Sequence, residues 1–341
     1  MKRYFNTEGI CDPTLHYMVN LHSRIEKTRR LLIDKGNYFV INRGRQYGKT
    51  TMLHTLADAL KEDYFVISMD FQRLSSANFK DEPAFCRAFV KMLLATVRDL
   101  PFENKEALLL PLTDLGYSST EASLDELFLR LSDLCKNASR PVVMLIDEID
   151  SASDNQVFLD FLSMLRGYYL NRNSHAIFHS VILAGVYDIK NLKLKLRPGK
   201  QHKYNSPWNI AAKFQIDMNF STDEIAAMLQ EYEADHHTGM DLPTAAKQIS
   251  HYTCGYPYLV SAVCRLLDED LPQHEQWGSG SCVWTAEGIT AAVHLLLKEN
   301  TPLFDSIAKQ LDMYPDLKEI TELILYQGKQ IPLSPMVVSI Q

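Results

Sequence analysis

Tyr38-Phe39-Val40-Ile41-Asn42-Arg43-Gly44-Arg45-Gln46-Tyr47-Gly48-Lys49-Thr50-Thr51 is the stretch on which the reading of this chain turns. A compact β-rich run, Tyr38 to Asn42, leads into a polar, glycine-containing turn. Leu53, Leu56 and Leu60 then recur at helical spacing, so a helix is predicted from Thr50 to Leu60. A strand, a turn ending in Gly-Lys-Thr and a helix form the arrangement that cradles a triphosphate. Backbone N–H groups and the helix N-terminus hold the phosphates while the lysine reaches the β- and γ-phosphates. On this reading Arg45, Gln46, Tyr47, Gly48, Lys49, Thr50 and Thr51 contact the nucleotide. Thr50 places its hydroxyl on Mg²⁺. The usual G-x-x-x-x-G-K-[ST] spacing puts its first glycine at position 43, where this chain has Arg43, with Gly44 one place later. That departure is expected to strain the loop or change its path. The competing reading is a plain strand-to-helix turn that happens to contain Gly-Lys-Thr.

A second motif decides between the two. Pro141 opens the most apolar run of the chain, Val142-Val143-Met144-Leu145-Ile146, which closes on Asp147-Glu148-Ile149-Asp150. A run this apolar suits a central strand buried on both faces. Asp147 is expected to hold Mg²⁺, and Glu148 to orient and deprotonate the attacking water, with Lys49 and Glu148 as the catalytic pair. Taken alone, Asp147 to Asp150 reads equally well as solvated acids after a strand. Paired with Lys49 and Thr50, it reads as an ATP site. An acid directly after the magnesium aspartate separates an ATP-hydrolysing class from GTPases and kinases that lack it. The strand predicted at Tyr64–Asp70 is read as the inserted strand of the additional-strand ATPases.

Around these motifs the first half alternates short apolar runs with amphipathic stretches, the pattern of β-α units on a parallel sheet. Helices are predicted at 82–100, 123–136 and 158–170, a buried strand at 180–185, and a last strand at 214–218. From Thr222 onward the pattern is helical. The expected fold is α/β: a P-loop NTPase sheet of the AAA type, a C-terminal helical lid, and an incomplete winged-helix segment. The corresponding domains are residues 1–219, 220–300 and 301–341.

Bulk properties narrow the setting. The chain has 341 residues, 46% of them hydrophobic, which is enough for a sizeable core. Its formal charge of −7 supplies no global field for nucleic acid. The six cysteines are scattered without a C-x-x-C pair, which argues against zinc and for reduced thiols. No signal-like or membrane-length apolar run is present in the sequence, so the expectation is a cytoplasmic protein that does not enter a membrane.

The chain resembles a family of AAA-like, STAND-related bacterial ATPases. The residues that carry the resemblance are Arg3-Tyr4-Phe5-Asn6, Cys11-Asp12-Pro13, His16-Tyr17-Met18-Val19 and Ile41-Asn42-Arg43-Gly44-Arg45-Gln46-Tyr47-Gly48-Lys49-Thr50-Thr51. The likeness extends over nearly the whole chain. It implies that Arg43 in place of the first glycine is usual, that Tyr17–Val19 wraps the adenine, and that Gly255-Tyr256-Pro257 forms a turn near the nucleotide. For the last two, an apolar N-terminal anchor and a helix-capping turn are the competing readings. Relatives continue into a full winged helix and, in some, a nuclease domain; no nuclease site is seen in this sequence.

Weaker candidates follow. Tyr187 and Asp188 occupy the place of a polar sensor, and Arg197, in the basic stretch 190–203, the place of an arginine finger. That stretch, with Tyr204 and Trp208, is the one region expected to touch nucleic acid. His236, His237 and His251 sit at no metal-ligand spacing. Three functions are weighed: a slow Mg-dependent ATPase switch whose lid packing answers to ATP, a nucleotide-binding scaffold without turnover, and an ATP-dependent DNA-associated protein. ATP, ADP and Mg²⁺ are the expected ligands, with an unnamed protein partner and a homo-oligomer as further partner expectations.

Overall fold

The computed structural model describes residues 2–98, 105–117, 122–186, 208–274, 277, 283–299 and 301–328. Contacts divide the chain into two units. Glu8–Asp12 and Asn20–Met218 make a sheet unit, and Met1–Thr7, Pro13–Val19 and Asn219–Gln341 make a helical unit.

In the sheet unit, β1 (Phe39–Asn42), β2 (Phe65–Asp70), β3 (Val142–Asp147) and β4 (Ser180–Gly185) are all parallel and ordered β1-β4-β3-β2. Every position of β3 and β4 is buried, as central strands covered on both faces require. The register pairs Asn42 with Gly185 and Asp70 with Asp147, so the carboxyl ends of the strands lie along one edge. That edge is where open α/β sheets place their ligand sites.

The strand inserted between the phosphate-loop strand and the acidic strand is β4. The sequence reading assigned that place to Tyr64–Asp70, and the structure corrects it: β2 lies at the sheet edge beyond β3. Its burial explains the difference, since Ser68 is exposed and Val66 and Asp70 are only half-buried.

The expected last strand at 214–218 also differs. It is an extended segment joined to the sheet by the single Phe39–Ala212 bridge, with Phe214 stacked on Phe39 at 5.8 Å. Arginines take its carbonyls: Arg43 Nη2 donates to Ile216 O at 3.3 Å and Arg24 Nε to Asp217 O at 2.9 Å.

One face of the sheet is covered by α3 (Glu82–Val97), α4 (Lys105–Tyr117), α5 (Leu124–Asn137) and α6 (Gln156–Leu170) over a phenylalanine-rich core. Phe161 meets Phe89 at 5.0 Å and Phe128 at 5.4 Å. Side-chain caps start two of these helices: Asp81 accepts from Ala84 N–H, and Ser123 from Glu126 N–H. The other face carries α1 (His22–Thr28) and α2 (Lys49–Leu60), packed around Ile41, Leu56 and Ile182.

The helical unit comprises α7 (Thr222–His236), α8 (Leu242–Thr253), α9 (Pro257–Arg265), α10 (Ala286–Leu296), α11 (Pro302–Met313) and α12 (Pro315–Gln327). A capping box, Ser221 with Glu224, opens α7. The sequence reading put residues 1–219 in one domain, and here the structure differs. Phe5, Tyr17 and Val19 are buried in the core of the helical unit with Tyr232, Val263 and Trp284. A polar clasp accompanies that burial: the Arg3 guanidinium lies 4.6 Å from the Tyr17 ring, and the Tyr17 hydroxyl donates to Asp235 at 2.8 Å. Among the described residues beyond 300 there are two helices and no strand, so no winged-helix hairpin is seen there.

Candidate functional site

Gly48 and Lys49 set the site. Gly48 is left-handed (φ 76°, ψ 17°) and immediately precedes the first residue of α2, so the chain turns sharply into the helix N-terminus. Gln46 is left-handed too, at φ 55°, which is uncommon outside glycine. Left-handed residues alternating with right-handed ones curl a backbone into an anion-binding concavity. Arg43 and Gly44 are absent from the positive-φ residues, so position 43 needs no glycine. Arg43 is instead a strut. Its Nη1 donates to Asn42 O at 2.9 Å, its guanidinium lies 5.6 Å from the Phe214 ring, and its backbone N–H bonds Gly185 O at 3.1 Å. The strain expected from losing the first glycine is thus replaced by a new anchor.

Lys49 is buried, and its ammonium donates to the loop carbonyls Arg43 O at 3.1 Å and Gly44 O at 2.9 Å. Burial lowers its pKa, opposed by the charges of Glu148, Asp147 and Asp150. Thr50, the next residue, donates its hydroxyl to Asp147 Oδ2 at 2.7 Å, joining the helix start to the end of β3. The other Asp147 oxygen accepts the Glu148 N–H at 2.9 Å. A cleft of about 790 Å³ opens beside Thr50, Asp147 and Glu148, walled by Leu53 and His54 of α2 and by Arg87 and Met92 of α3.

Glu148 has a left-handed backbone (φ 53°, ψ 42°), which costs a non-glycine residue about 1–2 kcal/mol. Its pKa is raised, first by burial and then by the Asp147 charge, with Lys49 opposing. A half-buried carboxylate held in a strained turn beside a cleft has the attributes of a general base.

The remaining loop residues divide. Arg45 is exposed and Gly48 half-buried, while Tyr47 packs against the α2 side of the core. Gln46 is half-buried, and its Oε1 is buried without a hydrogen-bond partner. Thr51 is buried, and its Oγ1 accepts the Cys11 N–H at 3.2 Å, so its hydroxyl anchors the Glu8–Asp12 segment.

Two further carboxylates bear on the site. Asp150, the last residue of the acidic motif, to which the sequence reading gave no role of its own, accepts the Val186 N–H at 2.6 Å. Asp70, paired in register with Asp147, lines the same cleft. Nothing in the local sequence marks Asp150, because its partner is a backbone group 36 residues away.

Other residues singled out by the sequence are held by packing of their own. Tyr17 and Val19, assigned by resemblance to the adenine, are buried in the helical unit's own core. At Gly255 (φ +71°) an added Cβ would meet Phe220 O at 2.0 Å, and Phe220 N–H bonds Gly255 O at 2.8 Å. The Gly-Tyr-Pro turn is therefore required by close backbone packing. Trp208, grouped with the nucleic-acid stretch, is fully buried and stacks on Tyr38 at 5.9 Å, which removes it from any such contact. His236 stacks on Tyr232 at 4.1 Å. Tyr187, Asp188, Arg197 and Tyr204 lie outside the described residues. No described helix is long and apolar enough to cross a membrane.

No curated protein matches. Among solved structures, the Aeropyrum pernix ORC2 protein in its ADP form is similar at 13% identity, over 85% of this chain and 71% of that one, with a TM-score of 0.48. ORC2 with ADPNP and ADP gives 13% identity, 85% and 70% coverage, and a TM-score of 0.49. The ORC1 protein of the same organism in complex with DNA gives 11%, 93% and 80%, with a TM-score of 0.44. The sequence profile of the AAA-like domain matches residues 14–276, most of the chain. With the phosphate loop, the acidic strand and a sheet whose inserted strand is β4, that match makes this chain a member of the AAA-like domain family of P-loop ATPases.

Proposed function

We propose that the protein binds Mg-ATP at Lys49, Thr50, Asp147 and Glu148 and hydrolyses it slowly, working as a nucleotide-controlled switch. The observation that carries this reading is the 2.7 Å bond between the Thr50 hydroxyl and the Asp147 carboxylate, made at a helix N-terminus one residue from a buried lysine. Those oxygens suit magnesium, which takes one or two carboxylates and completes its shell with waters and phosphate oxygens. Among the described residues no group of three His, Cys, Asp or Glu side chains gathers to hold a metal alone, so the ion is expected to arrive with the triphosphate. Once bound, it neutralises charge on the phosphoryl oxygens.

The chain's own residues supply the rest. Lys49 exchanges two neutral carbonyls for phosphate oxygens, a stronger charge-assisted bond. Glu148 takes a proton from water in the cleft, and its raised pKa brings it nearer to neutral pH, where a base works best.

Phosphate release under Mg-ATP tests this. The wild type should release phosphate, Lys49→Ala should neither bind nor release, and Glu148→Gln should bind but lose about 10²–10⁴-fold in kcat. A wild type that melts higher with ATP yet releases no phosphate would establish a binding module instead.

A further inference from the structure

Glu148 is left-handed, and three neighbours close a network around it. Its N–H donates to Asp147 Oδ1 at 2.9 Å. Its carbonyl accepts the Ser151 hydroxyl at 2.9 Å, and that hydroxyl also lies 3.1 Å from Phe71 O, just past the end of β2. Asp150 Oδ2 accepts the Val186 N–H at 2.6 Å, just past the end of β4. The acidic turn is thus tied on one side to the chain leaving β2 and on the other to the chain leaving β4. Gly185 makes the second tie fit: a Cβ there would stand 2.7 Å from Ile149 Cγ1 and 3.0 Å from Asp150 Oδ1. A backbone in a sparsely populated region persists only where its surroundings over-determine it.

We infer that Asp150 is a positioning residue, which through its bond to Val186 N–H fixes the left-handed turn that aims Glu148 at the attacking water. Ser151 is its counterpart on the β2 side, and Gly185 is the space that admits the clasp. This rests on the hydrolysis proposed above and names what regulates that same site. Displacing Val186 at the end of β4 displaces the Asp150 carboxylate and with it Glu148, so the Val186 N–H becomes a point from which turnover can be set without touching the nucleotide. The bond from Asp150 runs to Val186 and those from Ser151 run to Glu148 and Phe71, and none of these is to Lys49 or Thr50, so nucleotide affinity is expected to change far less than turnover.

The test separates positioning from general stability. Asp150→Ala should lower kcat by about 10–100-fold, within the range by which small misplacement of a catalytic group slows reaction. KM and the calorimetric Kd for Mg-ATP should stay within about twofold, since both report binding and not the base. Asp150→Asn keeps an oxygen able to accept the Val186 N–H and should recover most of the rate. Gly185→Ala, which removes no polar group, should reproduce the kcat loss by displacing Asp150. In the Glu148→Gln background Asp150→Ala should cost nothing further, because it acts through Glu148. Should Asp150→Ala fail to fold, Asp150→Asn, Ser151→Ala and Gly185→Ala carry the same comparison.

Active wild type with unchanged kcat in Asp150→Ala and Gly185→Ala overturns the clasp alone. Equal losses in kcat and Kd also overturn it, marking a structural role. Absence of phosphate release from the wild type overturns the hydrolysis reading and the clasp together.

Discussion

Burial and the carboxylate of Asp147 raise the pKa of Glu148, so the folded protein disfavours the ionised form that the chemistry needs. A carboxyl whose folded pKa exceeds its unfolded value adds stability below the unfolded value and loses it as pH rises through the folded one. At neutral pH, therefore, Glu148→Gln should raise the melting temperature of the nucleotide-free protein. Below the ordinary glutamate range, where both forms are neutral, that gain should vanish; scanning calorimetry at the two pH values checks it. The same shift places the acid limb of the kcat profile above the usual glutamate range, and a limb at or below that range would count against Glu148 as base. Lys49, Thr50, Asp147 and Glu148 were legible in the sequence because each is a chemistry-bearing type at a fixed place on a strand end or helix start. Arg43 and Asp150 were not. Their distant partners, Ile216 O and Val186 N–H, are backbone groups brought close only by folding, and no residue spacing encodes them.

At the scale of elements, the four strands of the sheet and most helices followed from periodicity, whereas the expected strand at 214–218 and the strand order did not. Tyr64–Asp70 and Ser180–Gly185 are both apolar runs, and only the pairing of β4 with β1 and β3 shows which one is inserted. α4 is not among the predicted helices; it carries Pro111 inside it, a residue that ordinarily interrupts a helix, with Leu112 beside it fully buried. α11 carried a start signal, Thr301 capping the Phe304 N–H with Pro302 following, ahead of a weakly buried face. Two substitutions test the packing. Phe161→Ala, at the centre of the phenylalanine cluster, should cost about 3–5 kcal/mol in urea denaturation. Gly255→Ala should destabilise the helical unit by more than about 1 kcal/mol, since its left-handed backbone and the Phe220 carbonyl both oppose a Cβ. A neutral Gly255→Ala would return that turn to a role in binding.

At the scale of the whole molecule, the candidate nucleotide site is built within the sheet unit, from the phosphate loop, α2 and the end of β3. Tyr17 and Val19, from the segment that the resemblance placed at the adenine, belong with Phe5 to the core of the helical unit, a division that local pattern could not reveal because Phe5 and Val19 read as apolar in either setting. Binding to the folded state alone should stabilise the sheet unit by about 2.7 kcal/mol when Mg-ATP stands at 100 times its Kd, leaving Lys49→Ala unmoved. Calorimetric titration of the wild type and Lys49→Ala with Mg-ATP tests the central claim most directly. The account predicts one saturable site in the wild type and none in Lys49→Ala. No binding heat from the wild type across the titration temperatures, or the same isotherm from both proteins, would contradict it.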